Sequence, residues 1–171
     1  MRNTLKDEMY KAMSKGDCEK IDALVASGLD VNTRSDEDEW NFLHMALVSV
    51  AIPPNPIVIR HLIGIGVDVN AQDSSLWTPL HYAARTKISV VVKMLVDAGA
   101  DVNAVNDEGI NPLIESLQTQ PWNLEVAEIL LAAGTKPDDN RSGSTVRRLL
   151  DVVASPDTAA MRALLKKYTK K

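Results

Sequence analysis

The chain has 171 residues, with 19 Lys and Arg against 23 Asp and Glu and a net charge of −4. This length suits about one domain of ordinary size. A hydrophobic fraction of 45% and a charged fraction of 25% are typical of globular proteins, which excludes a disordered or fibrous chain. Aromatic residues make up only 4%, and this favours helices that pack closely through Ala, Val, Leu and Ile side chains.

Cysteine content and apolar patterning restrict the cellular compartment. Cys18 is the only cysteine, which excludes an intrachain disulfide and a zinc site built from several cysteines. Residues 1–8 are polar and acidic, whereas a signal peptide carries an apolar stretch near its start. The longest apolar run is far shorter than the roughly 20 residues of a membrane helix. We therefore predict a cytoplasmic protein with no membrane partner.

Internal repetition is the main signal in the sequence. A Gly-x-Asp-Val-Asn segment occurs three times, its glycines 38 and 33 residues apart, and a weaker fourth copy follows after 35 residues. The copies are Gly28–Asn32, Gly66–Asn70, Gly99–Asn103 and Gly134–Asp138. A second pattern has the same spacing, because Thr78–Ala83 is echoed by residues 41–46 and 111–116. A fixed period of this length predicts a solenoid of stacked repeats.

Each repeat predicts two helices joined by turns. Thr78 suits the cap of a first helix, and Pro79 suits its first turn, where no backbone N–H is needed. Thr78 and His81 are three residues apart, so their side chains can meet. Apolar residues at helical spacing predict a second helix that ends at Gly99. The Asp-Val-Asn turn then leads into an extended finger.

On these two patterns the sequence resembles the ankyrin-repeat family, whose unit is about 33 residues with a T-P-L-H-x-A signature. The resemblance implies an all-α ankyrin-repeat solenoid of about five helix-turn-helix repeats with short β-hairpin-like fingers. It covers nearly all of one domain, residues 1–171, in repeats at approximately 1–33, 34–71, 72–104, 105–138 and 139–171. The first and last repeats are expected to be caps. Leu76 stands where the usual signature has glycine.

Two insertions depart from the period. Residues 52–56 contain three prolines and predict a stiff, extended loop. A second expansion, at residues 118–123, includes Trp122. Insertions in solenoids often carry binding residues, although neutral drift of a surface loop explains the proline-rich segment as well.

No combination of residues predicts catalysis, a cofactor or a metal site. His44 and His81 hold equivalent signature positions, where a structural hydrogen bond to the finger explains them. His61 lies in a predicted second helix as a packing or surface residue, and Cys18 has no histidine near it in the sequence. We predict that the chain is not an enzyme, the alternative being an enzyme with an unrecognised site.

Binding is the function that this architecture predicts, on a concave surface formed by the fingers and the first helices. The predicted partner-binding residues are Asp36, Glu37, Asp38, Glu39, Trp40, Ser74, Ser75, Trp77, Arg85, Asp107, Glu108, Ile110, Gln118 and Trp122. Further positions on the same surface are Ser14, Lys15, Val48, Ser49, Leu76, Thr86, Thr119, Arg141, Ser142 and Ser144. The set is close to the roughly 20 to 30 residues of one side of a standard protein interface.

Trp40 and Trp77 occupy the same position in successive fingers. Tryptophan is common at interface hot spots, but both rings can instead fold back onto the finger base. The four consecutive carboxylates of residues 36–39, together with Asp73 and those of residues 107 and 108, indicate either a solvated face or complementarity to a basic partner. They argue against nucleic acid as the direct ligand, because phosphates would meet carboxylates.

Charge is unevenly distributed along the chain. Residues 1–140 carry 11 Lys and Arg against 21 Asp and Glu, a balance of −10, and residues 141–171 carry 8 against 2, a balance of +6. The sequence therefore predicts a protein-binding module, monomeric before binding, that holds a basic protein in an acidic groove. By its size and groove it also looks like a bacterial immunity protein that neutralises a cognate toxin. The alternative is a scaffold or regulator that recruits a cellular or host protein.

Overall fold

The computed structural model describes residues 2–48, 53–137, 146–152 and 157–168. These residues contain ten helices: α1 Arg2–Lys15, α2 Cys18–Ala26, α3 Phe42–Val48, α4 Pro56–Gly64, α5 Pro79–Thr86, α6 Ser89–Asp97, α7 Pro112–Ser116, α8 Leu124–Ala132, α9 Val146–Val152 and α10 Asp157–Tyr168. No strand is assigned in this part of the chain. The predicted all-helical solenoid is confirmed, and its fingers are tight turns here rather than hairpins.

The helices form two rows. The first helices of successive repeats pack in one row, α3 against α5 and α5 against α7, while the second helices α4, α6 and α8 pack in the other. The two helices of a repeat also contact each other, as α5 and α6 do. The core between the rows repeats with the sequence period. Its fully buried leucines include Leu43, Leu80 and Leu113 from the first row, and Leu62, Leu95 and Leu130 from the second.

The boundaries of α5 and α6 follow from the residues predicted to set them. Thr78 precedes α5 in an extended conformation, and Pro79 is its first residue. The Nδ1 atom of His81 lies 2.9 Å from the Thr78 hydroxyl, so the predicted contact across this turn is confirmed. At the end of α6, Gly99 has a φ of +88°, a conformation that glycine adopts without a steric penalty.

Asparagine side chains join the first four repeats to one another. In each Asp-Val-Asn turn, the asparagine amide donates to the glycine carbonyl of the following repeat, and its oxygen accepts the backbone N–H two residues further on. Asn70 donates to Gly99 O at 3.1 Å and accepts from Asp101 N at 2.7 Å. Asn32 and Asn103 make the equivalent pairs of bonds. We call these bonds the asparagine ladder, and they explain why the motif recurs.

The three described fingers, residues 35–40, 73–77 and 106–110, stack on one another. A backbone bond between the first and last residues closes each finger, such as Asp73 N to Trp77 O at 2.9 Å. Neighbouring fingers are joined by Ser74 N to Asp38 O at 2.9 Å and Asp107 N to Ser75 O at 3.1 Å. The fingertips therefore form one continuous edge.

A left-handed residue turns each finger. Gly109 has a φ of 74° at this position, whereas Leu76 and Glu39 have φ values of 61° and 56°. Left-handed backbone costs a residue with a side chain about 1–2 kcal/mol. The side chain of Leu76 is 44% exposed, so packing returns little of this cost.

Leu76→Gly is expected to raise the free energy of unfolding by about 0.5–1 kcal/mol. Relief of the left-handed conformation outweighs the roughly 0.5–1 kcal/mol that the added freedom of glycine costs. Urea denaturation followed by circular dichroism measures the change. Leu76→Ala is the matched control, since it removes the side chain but keeps the Cβ atom. Equal stability of the two variants would contradict this explanation.

The proline-rich insertion differs from its predicted form at one residue. Pro56, predicted to lie in the extended loop, is instead the first residue of α4, and Asn55 caps this helix by accepting from Ile57 N. Residue 52 lies outside the described residues. The expansion at residues 118–123 is held by Lys87, whose ammonium group donates to the carbonyls of Thr119 and Pro121.

Candidate functional site

Exposed carboxylates lie along the edge that the stacked fingers form. Asp36, Glu37 and Glu39 are exposed on one finger, and Asp107 and Glu108 are exposed two fingers away. Ser74 is exposed between them, while Asp38 and Ser75 are half-buried. The backbone bonds between fingers bring these residues together in space, although they are up to 72 residues apart in the sequence.

Cations of the chain itself partly neutralise this edge. Lys6 lies 3.4 Å from the Asp36 carboxylate, and Arg34 lies 3.8 Å from that of Glu39. Among the described residues, Glu37, Asp107 and Glu108 have no ion pair. The carboxylates available to a partner are therefore fewer than the run of four in the sequence suggests.

The two tryptophans of the fingers pack within the protein. Trp40 and Trp77 are both half-buried, and their ring centroids lie 6.4 Å and 5.1 Å from that of Tyr82. The Trp40 indole N–H also donates to Asp73 at 3.1 Å. These rings were expected either to contact a partner or to fold back onto the finger base. In the structure they fold back, and part of each ring stays at the surface.

Asp73 was grouped with the exposed acids, and this was wrong. It is only 5% exposed, and its carboxylate accepts four hydrogen bonds. Oδ1 accepts from the backbone N–H groups of Ser75 and Trp77, and Oδ2 accepts from Trp40 and, at 2.6 Å, from the Tyr82 hydroxyl. Burial and this bond to Asp73 raise the pKa of Tyr82. Asp73 therefore joins two fingers to α5 and does not face a partner.

Arg85 lies in the last turn of α5, next to the rings of Trp77 and Tyr82. Its guanidinium group lies 5.2 Å from the Trp77 ring centroid and 4.9 Å from that of Tyr82. The side chain is exposed, and the rings hold it in place through cation–π contacts. On α7, burial raises the pKa of Glu115, and the positive charge of Arg85 partly opposes this.

Two predicted contact residues are inside the protein. Ile110 is 7% exposed and Trp122 is 5% exposed, so neither presents its side chain to a partner. Ile110 has the position of Trp40 and Trp77, but its smaller side chain is covered by its neighbours. The indole N–H of Trp122 donates to Leu117 O at 3.0 Å, which satisfies it in the core.

The remaining predicted positions are divided by exposure. Gln118, Thr119, Ser14 and Lys15 are exposed, whereas Val48 and Thr86 are half-buried. Leu76 is exposed at its fingertip, as described above. Four other predicted positions, Ser49, Arg141, Ser142 and Ser144, lie outside the described residues.

The signature histidines are structural, as predicted. His44 and His81 are fully buried. In each ring Nδ1 accepts a backbone N–H at the start of the helix, so Nε2 carries the proton and donates to a finger carbonyl. These bonds are 3.0 Å to Trp77 O for His44 and 2.9 Å to Ile110 O for His81. His61 pairs at 2.8 Å with Asp22.

Two features are absent from the described residues. This part of the chain contains no group of three or more His, Cys, Asp or Glu arranged to hold a metal ion. None of its helices has both the length and the apolar character needed to cross a bilayer.

Sequence reasoning missed the contacts around Tyr82. Its ring touches Trp40, His44 and Trp77, and its hydroxyl is bonded to Asp73. One signal was present in the sequence: Tyr82 directly follows His81 and shares its helix face with Arg85, three residues later.

Comparison with known proteins agrees with this architecture. The chain matches the family of ankyrin repeats (three copies) over residues 9–104 and 47–141, and it belongs to that family. It is also 32% identical over 130 residues to the tyrosine-protein kinase Shark of Drosophila melanogaster. The match covers 75% of this chain but 13% of the kinase. Membership of the family indicates a protein–protein interaction module.

Proposed function

We propose that this chain is a non-catalytic module that binds a basic protein through the edge formed by its stacked fingers. The observation that supports this most is the bonding between fingers, which aligns Glu37, Asp107 and Glu108 on one exposed edge, where none of the three carboxylates has an ion pair with another described residue. Complementary charge mainly raises the association rate and selects against wrong partners. The acidic edge also disfavours nucleic acid as the direct ligand.

A more specific proposal is that the module acts as a cytoplasmic immunity protein, monomeric until it binds a cognate toxin. A basic nuclease is the kind of toxin that an acidic surface would complement. The test is genetic and biochemical: this proposal predicts that a toxin gene lies next to the gene for this chain and that the purified chain blocks the activity of the toxin. A toxin that stays fully active in an excess of this chain would reject the immunity role and leave the binding proposal intact.

A second candidate is a scaffold or regulator that recruits a cellular protein. The match to part of a tyrosine-protein kinase favours this candidate. The matched stretch is a small share of that much longer protein, so a stretch similar to this chain there accompanies other parts of the kinase, as a recruiting module would. In this case the partner is again a protein, and the fingers are again the binding edge.

Neutralising two unpaired carboxylates is expected to slow association with the partner about tenfold at low salt, with little change in thermal stability. The variant is Glu37→Gln with Glu108→Gln. Both residues are exposed and have no ion pair in the described residues, so the loss acts through long-range attraction. The partner is isolated from native lysate by cross-linking and mass spectrometry, and rates are then measured by surface plasmon resonance at two salt concentrations.

The matched control is Glu19→Gln with Glu125→Gln, which changes net charge equally on the second helices α2 and α8. It is expected to affect the association rate much less. Equal slowing by both double variants would show that net charge, not the fingertip edge, attracts the partner. A partner with an acidic surface would overturn the proposal.

A further inference from the structure

A cavity lies between the first helices of repeats two and three. Its volume is about 490 Å³, within the range of about 300–1,000 Å³ typical of ligand pockets. It lies at the ends of α3 and α5, beside Pro53 and Pro54. The residues that line it are Leu47, Val48, Pro53, Pro54, Arg85, Thr86 and Ile88.

Arg85 is the charged residue of this lining. The other polar side chain, that of Thr86, already donates to Ala83 O at 2.7 Å and accepts from Ile88 N. The apolar wall and this single charged residue match the usual chemistry of a binding pocket, in which a few polar groups fix the orientation of the ligand.

The guanidinium group of Arg85 is held ready for an anion. Its stacking on Trp77 and Tyr82 restricts the side chain before any ligand binds, which lowers the entropy cost of binding. Within the described residues no carboxylate lies within ion-pair distance of it. Of the common side chains, a planar guanidinium with free N–H groups pairs best with a carboxylate, because two of its donors match the two carboxylate oxygens.

We propose that this cavity binds a peptide segment in which an apolar side chain stands beside an aspartate or glutamate. The apolar side chain occupies the cavity, and the carboxylate pairs with Arg85. This inference rests on the proposed function, since it names one contact of the same protein partner. The basic groups of the partner would face the acidic fingertips, and its carboxylate would pair with Arg85. Together the two contacts would fix how the partner is aligned on the surface.

Three blocked dipeptides test the cavity without any knowledge of the partner. They are the N-acetylated, C-terminally amidated forms of leucyl-aspartate, leucyl-asparagine and leucyl-lysine. Each is titrated to about 20 mM into isotope-labelled protein, and NMR follows the methyl groups of Val48 and Ile88 and the Nε–H of Arg85. The aspartate peptide is expected to give saturable shifts at all three residues. The asparagine peptide, nearly identical in shape, is expected to bind about fivefold more weakly, as expected for loss of one partly exposed ion pair.

Arg85→Gln is expected to abolish the preference for aspartate over asparagine while leaving the fold unchanged. Arg60→Gln is the matched control, because Arg60 is an exposed arginine of α4 that does not line the cavity. Equal binding of the aspartate and asparagine peptides, tighter binding of the lysine peptide, or no saturable shift would each overturn the inference. These outcomes leave the fingertip variants of the proposed function unaffected, so failure of one proposal can be distinguished from failure of the other.

Discussion

Asp73→Ala is expected to lower the free energy of unfolding by about 4 kcal/mol. The substitution leaves four donors without their acceptor: the indole of Trp40, the hydroxyl of Tyr82 and the backbone N–H groups of Ser75 and Trp77. A buried donor left without a partner, here the Tyr82 hydroxyl, costs about 1–3 kcal/mol. The three half-buried donors add smaller losses, and neighbouring losses are not additive. Urea denaturation of the full chain, followed by circular dichroism, measures the effect.

Asp73→Asn separates the two halves of this network. Asn106 stands at the equivalent position of the next finger and accepts Ile110 N through its Oδ1, which shows that asparagine supports the turn. The asparagine side chain of the variant would keep the turn bonds but lose the acceptor for Trp40 and Tyr82. We expect about half of the loss seen with alanine, and about 1 kcal/mol for Tyr82→Phe. A loss below about 1 kcal/mol for Asp73→Ala would contradict the role given to this carboxylate.

Stability is expected to fall by about 2 kcal/mol between pH 7 and pH 5 through His81 alone. Burial lowers the pKa of His81 from 6.5 to about 4 and also lowers that of His44. Between pH 6.5 and 4 the unfolded chain therefore binds a proton at His81 that the folded chain does not bind. Stability decreases as the pH falls through this window, at up to about 1.4 kcal/mol per pH unit.

His81→Gln removes this pH dependence and also the bond to Ile110, so the two effects must be read separately. The loss of the bond lowers stability at pH 7, whereas the loss of the titrating group reduces the slope of stability against pH. Denaturation at pH 7, 6 and 5 gives both quantities, and His44→Gln is expected to change the slope in the same direction. An unchanged slope in the His81 variant would show that its imidazole is not kept neutral by burial.

The repeated parts of the fold could be predicted from the sequence because the same local chemistry recurs there. The cap at Thr78, the helix end at Gly99 and the bond between Thr78 and His81 each depend on residues a few positions apart. Their repetition at a fixed period makes each prediction stronger. The structural role of the signature histidines was predictable for the same reason.

The surface was less predictable because exposure depends on distant residues. Asp73 resembles the exposed acids in the sequence, but Trp40, 33 residues earlier, and Tyr82, nine residues later, turn it inward. Trp122 is buried by the way its insertion folds back onto Leu117. The pairing of Asp36 with Lys6 likewise joins residues 30 apart. Such contacts have no local pattern that would reveal them.

The asparagine ladder restricts where this chain can change in length. On the side of the ladder, the segments between helices are residues 27–41, 65–78 and 98–111, which are 15, 14 and 14 residues long. On the other side, the segments between α3 and α4 and between α7 and α8 are seven residues each, while that between α5 and α6 is two. One rim of the solenoid thus keeps its dimensions, because every asparagine must reach the next glycine carbonyl. The loops at the opposite side, between the two helices of a repeat, can gain residues and change shape without disturbing how the repeats stack.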